Sequence, residues 1–145
     1  MKENSIIIIC LIFLSCNIQG VSQSKNSKDK LAEQCIEDII ARDDVLGSIR
    51  NRSCEEISLS ETILNYVKEI EKMDFSYCPK YFKVAFTRHI QAWKDMIPVT
   101  DHFPTLRGEM HDLFEQIDRS DHGQAYKTVL SNIWSTWDEV EEAMK

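Results

Sequence analysis

The sequence predicts an all-α protein, an antiparallel bundle of four to five helices, and three observations carry that expectation. Four glycines and three prolines in 145 residues are too few for a turn-rich β-sandwich. Apolar residues recur at three- and four-residue spacing, the period of a helix with one buried face, over most of the chain. Beyond Asp29, runs that alternate apolar and polar residues, the mark of half-buried strands, are missing. The length suits one domain with one core, so the expected organisation is a leader over 1–15, a tether over 16–29 and a bundle over 30–145.

The leader is read from a polar head with Lys2, the apolar run Ile6 to Leu14, and Ser15 ahead of Cys16. A membrane helix needs about twenty apolar residues, so this run suits an export signal rather than a span. Phe13-Leu14-Ser15-Cys16 looks like a relaxed bacterial lipobox, which predicts lipidation of Cys16, although Leu14 stands one place nearer the cysteine than the preferred leucine. The competing outcome is ordinary cleavage after Gly20 or Ser22. Asn17 to Asp29 is rich in Ser, Asn, Gln and Lys and reads as a polar tether. The expected address is therefore the bacterial cell envelope, as a membrane-anchored lipoprotein, with a soluble periplasmic or secreted protein as the alternative.

A first helix is expected over Ser27 to Arg42 through Leu31, Cys35, Ile36, Ile39 and Ile40, with broken helix on to Ser53. A second, Leu59 to Met73, has Leu59, Ile63, Tyr66, Val67 and Ile70 on one side, and Ser58 with Glu61 reads as its capping box. Ser76 to Ile97 gathers Cys78, Phe82, Ala85, Phe86, His89, Ile90, Trp93, Met96 and Ile97 on one arc, with Pro98 as its stop. Pro104 is expected to open a fourth helix, reaching to about Ser120 on Leu106, Met110, Leu113, Phe114 and Ile117. The fifth, Gln124 to Met144, sets Tyr126, Val129, Leu130, Ile133, Trp134, Trp137, Val140 and Met144 against a polar face.

With Cys10 in the leader and Cys16 acylated, the domain keeps Cys35, Cys54 and Cys78. An exported domain with three cysteines suggests one bridge and one spare thiol. A fifteen-residue helix is about 22 Å long, too far for Cys54 to reach Cys78 across it. The expected pair is Cys35 with Cys54, Cys35 with Cys78 being the alternative, and its role structural because no Cys-x-x-Cys is present.

No catalytic residue is assigned. The chain lacks His-Glu-x-x-His, Gly-x-Ser-x-Gly, Cys-x-x-Cys-His and a glycine-rich phosphate loop, so no familiar hydrolase, nucleotide or covalent haem site is indicated, and no cofactor is expected. His89 lies in the apolar arc, where an imidazole needs a partner. Its ordinary role is a buried, hydrogen-bonded core histidine. Its functional role would be at the floor of a pocket lined by Phe82, Phe86, Trp93, Trp134 and Trp137. His111, Glu115 and Asp118 share helical spacing but project away from the apolar face, so no metal site is assigned.

Net charge is −7, and losing Lys2 and Glu3 with the leader leaves it unchanged. From Gly108 onward nine acids face three Arg or Lys. That balance argues against nucleic acid or an anionic membrane surface. The expected function is a non-catalytic binding or accessory module, held at a membrane by its lipid and contacting another envelope protein or a small ligand; the alternative is a ligand- or metal-binding bundle centred on His89.

Overall fold

The computed structural model describes the backbone of residues 19–145 and the side chains from residue 26 onward. The leader, the lipidation at Cys16 and the start of the tether lie outside the described residues. Within them the fold is all-α: α1 (Gln19–Ser53), α2 (Leu59–Ile70), α3 (Lys80–Thr100), α4 (Met110–Asp118) and α5 (Gly123–Glu142). No described helix is long and apolar enough to cross a membrane.

α1 departs most from expectation. It is one unbroken helix of 35 residues, beginning inside the stretch read as tether and running through Gly47 to Ser53. Its inward stripe is Cys35, Ile39, Asp43, Leu46, Arg50 and Cys54, a three- and four-residue repeat that two charged residues interrupt. Leu31, Val45 and Ile49 lie on its exposed side.

The expected Cys35–Cys54 bridge is not formed. Cys35 bonds to Cys78, with an S–S distance of 2.04 Å and Cα atoms 5.1 Å apart. The reason is the continuity of α1: nineteen residue steps along the helix separate Cys35 from Cys54 by about 28 Å, the same obstacle that rules out Cys54 with Cys78. Cys54 is a buried free thiol whose Sγ–H donates to the Arg50 carbonyl at 3.3 Å, and burial pushes its pKa up.

α2 starts as expected, with Ser58 Oγ accepting from the Glu61 amide at 3.2 Å. It returns antiparallel to α1, since Tyr66 meets Asp43 while Cys35 lies against the Asp74 turn. In that turn Asp74 Oδ1 accepts from the Ser76 amide at 2.8 Å, which places Cys78 beside α1. α3 runs back along α2, with the buried Ser60 and Thr100 hydroxyls 2.9 Å apart and the Tyr66 and Trp93 rings edge to face at 5.6 Å.

Pro98 does not stop α3. The proline is exposed, so the carbonyl it leaves without a donor lies on the solvent side, and the helix continues to Thr100. Pro104 likewise does not open α4. Gly108 has a φ of +146°, which no helix admits, and its N–H donates to the Cys54 carbonyl at 3.1 Å. The loop is thereby hooked to the α1–α2 turn. α4 begins only at Met110, capped by the Glu109 carboxylate on the His111 and Asp112 amides.

α5 packs antiparallel on α3, with His102 stacked on His122 near one end and Arg88 paired to Glu139 at 3.0 Å toward the other. Its expected inner stripe is partly revised. Tyr126, Ile133 and Val140 are buried, Thr136 joins them, and Trp134 and Met144 are exposed.

Candidate functional site

α1 rests on α2, and α5 rests on α3 and α4. Because α1 and α5 are supported from different sides, a cleft of about 700 Å³ opens between them over the α3 floor. All three tryptophans of the chain, Trp93, Trp134 and Trp137, line it, together with Tyr66, His89, Phe114 and Tyr126.

His89 is 3% exposed and both ring nitrogens are engaged. The Trp93 indole N–H donates to Nε2 at 3.1 Å, so Nε2 is an acceptor and the proton sits on Nδ1. Nδ1–H then donates to Thr136 Oγ1 at 3.2 Å, and that hydroxyl donates to the Asn132 carbonyl at 2.8 Å. The relay is complete with a neutral imidazole. Burial lowers the pKa from 6.5 to about 4, against a smaller opposing effect from the Ile133 carbonyl. His89 shapes the floor of the cleft and offers it no free lone pair.

Asp43 and Arg50 form the α1 wall. The Tyr66 hydroxyl donates to Asp43 Oδ1 at 2.5 Å. The Arg50 guanidinium carbon lies 3.9 Å from the Trp93 ring centroid and 4.6 Å from that of Tyr66, in the corner the two rings form, while Nε and Nη2 donate to Asn51 Oδ1 at 3.2 Å. Burial raises the Asp43 pKa, an effect that the Tyr66 hydrogen bond and Arg50 oppose, and burial lowers that of Arg50. Burial also raises the pKa of Tyr66, with the Asp43 charge adding to it.

At the other end, the Phe114 and Tyr126 rings lie 5.5 Å apart. Tyr126 is 2% exposed, and its hydroxyl has no hydrogen-bond partner among the described residues. Burial, and next the Asp118 charge, hold that phenol above its usual pKa. Lys127 Nζ lies 3.1 Å from Asp118 Oδ1 at the rim.

Of the six residues expected to line a pocket, the fold brings together His89, Trp93, Trp134 and Trp137. Phe82 and Phe86 are not among them. Both are 0% exposed in the core, where Phe86 packs on Phe75 and Phe82 at ring distances of 5.6 Å. A helical projection discards the axial coordinate, and Phe82 lies about 10 Å along α3 from His89, at the end closed by the α2–α3 turn. Trp134, expected on the inner stripe, is 61% exposed and stands at the flank of the cleft.

His111, Glu115 and Asp118 all border this cleft, but each turns to its own neighbour: His111 to Glu109 at 2.8 Å, Glu115 to Arg119 at 2.7 Å, Asp118 to Lys127. Their helical spacing does not converge on one point. Sequence reasoning missed Asp43, Arg50, Tyr66 and Tyr126 as site residues. For the first two a signal was present, since charged residues on an apolar helix stripe need a buried or partly buried partner.

No protein family, curated protein or solved structure matches this chain.

Proposed function

We propose that this chain is a non-catalytic binding protein that holds a small organic ligand in the cleft between α1 and α5. The observation that carries the proposal is the lining: three tryptophans, two tyrosines and Phe114 around about 700 Å³, with charged side chains contributed by α1, α4 and the start of α5. Ligand sites in this size range combine apolar and aromatic walls with polar groups that orient the ligand. An ordinary aromatic core fills its own volume to near crystal density and leaves no such space. The saturated hydrogen bonding of His89, with no carboxylate on either nitrogen, favours binding over proton-transfer chemistry.

The export signal and Cys16 lipobox read from the sequence supply the compartment this function assumes, an envelope surface where a tethered module captures its ligand. Intact mass of protein taken from native membranes tests that part: a diacylglyceryl group on Cys16 supports it, and an unmodified chain starting near Val21 or Gln23 refutes the anchor.

The cleft itself is tested at Gly47, which lies on its α1 wall. A Cβ there meets only Arg50 Nη2, at an ordinary 3.7 Å. Gly47→Leu is expected to project a side chain into the cleft and to raise helix stability by about 0.5–1 kcal/mol. Nile red titration of the full chain should then change tryptophan emission in the wild type and lose that response in Gly47→Leu, whose melting temperature is retained or raised. Equal dye binding by both proteins would refute the cleft as the binding site.

A further inference from the structure

We propose that the cleft selects an organic cation, an amphipathic molecule whose apolar body lies among Phe114, Leu130 and Trp134 and whose ammonium or guanidinium group is held by Asp43, Asp44 and Trp137. This rests on the ligand-binding reading above and adds its chemical class.

Charge comes first. Asp43, Asp44, Glu115 and Asp118 line the cleft against Arg50 and Lys127, a surplus of carboxylates in a chain already at −7. A second cleft of about 640 Å³ shares Asp43, Asp44 and Trp137 with the first, and its one further charged residue is Glu37. The indole of Trp137 thus borders two spaces whose common charges are both acidic, while its N–H is engaged by Glu141 at 3.1 Å. A tryptophan face beside carboxylates, in a partly desolvated cleft, attracts a cation through both its quadrupole and their charge.

The two positive groups do not cancel this field. Lys127 is paired with Asp118. Arg50 lies in the corner between the Trp93 and Tyr66 rings with two of its donors on Asn51, and no carboxylate lies within ion-pair distance of it among the described residues. Asp43 receives a tyrosine hydroxyl rather than a cation, and Asp44 has no ion-pair partner among the described residues. A carboxylate or phosphate ligand would meet Arg50 only beside Asp43 and Asp44, neither of which is paired with a cation.

An independent observation points to an occupant. The Tyr126 hydroxyl, in the wall of the same cleft, is buried without a hydrogen-bond partner among the described residues, as is Oδ1 of Asp118. An orphaned buried hydroxyl is costly, and a polar ligand atom beside Phe114 would relieve it.

The test uses the full chain and three probes with one hydrocarbon body: 4-phenylbutylamine, 4-phenylbutanol and 4-phenylbutyrate. All three tryptophans border the cleft, so their emission reports occupancy. The amine is expected to bind about ten-fold or more tightly than the alcohol, and the carboxylate most weakly. Raising salt from 10 to 500 mM should weaken the amine alone among the first two. Asp44→Asn, at an exposed position, should bring the amine close to the alcohol with an unchanged melting temperature, whereas Trp134→Ala should weaken both. Equal affinities, or preference for the carboxylate, would overturn cation selection and leave the binding site standing. No saturable response to any probe, together with no response to Nile red, would overturn both.

Discussion

His89 illustrates how a residue that looks chemically available in one dimension is spent on structure in three. Its two nitrogens join α3 to itself through Trp93 and to α5 through Thr136, and the bond accepted from Trp93 requires the neutral ring. Its pKa of about 4 lies below the unfolded value of 6.5. Between those values the unfolded chain binds a proton that the native state refuses, so stability falls as pH falls. The contribution is present in full above pH 6.5, and its loss by pH 4 amounts to about 3 kcal/mol. Asp43 works in the opposite direction, because its raised pKa favours the folded state as pH drops. Urea denaturation of wild type and His89→Gln across pH 4–7 separates the two: the substituted protein should be less stable at pH 7 and should lack the steep decline below pH 6.5. Parallel pH profiles would mean that His89 is not held neutral.

At the scale of elements, α1 depends on connections more than on its own pattern. Over residues 26–34 its side chains are exposed, Ala32 excepted, and buried contact begins at Cys35, where the disulfide fastens it to the start of α3. Cys35→Ser should lower stability by about 2–4 kcal/mol in urea titrations, while Cys54→Ala, a small change at a thiol outside the bridge, should cost less. Peptide mapping without reductant should recover Cys35 joined to Cys78. The α4–α5 junction is fixed differently. A Cβ on Gly123 would stand 2.1 Å from the Asp118 carbonyl oxygen, backbone that cannot yield without moving the last turn of α4. Gly123→Ala should therefore destabilise by about 1–3 kcal/mol, read from the shift in denaturation midpoint. A neutral effect would show that the two helices are free to separate.

For the molecule as a whole, the cleft exists because the bundle is not closed: α1 is buttressed by α2, α5 by α3 and α4, with Trp134 exposed and Trp137 and Phe114 half-buried between them. Stability should grade along α1 in consequence. Hydrogen exchange is expected to be fast over 26–34 and slow over 35–54, where the disulfide, Tyr66 and the Gly108 hook hold the helix. Uniform protection along α1 would contradict the view that its first half stands clear of the core.

Helical periodicity is a local property, and so the all-α class, the five segments, the Ser58 cap and the inward placement of Cys35, Ile63, Phe82, Phe86, His89, Ile117 and Ile133 were legible in the chain itself. Helix ends were less so. Pro98 continues a helix because its orphaned carbonyl is on the solvent side, and Pro104 does not start one because Gly108 must turn outside the helical region, and neither fact is visible without neighbours. The site was half legible: a wheel placed His89 and Trp93 on the same face as Phe82 and Phe86 but carried no axial coordinate to separate them. Which cysteines meet, which aromatics border open space, and that Asp43 and Arg50 of α1 face Tyr66 and Trp93 were decided by tertiary packing alone. Each depends on how distant helices are laid side by side, and local pattern carries no information about that distance.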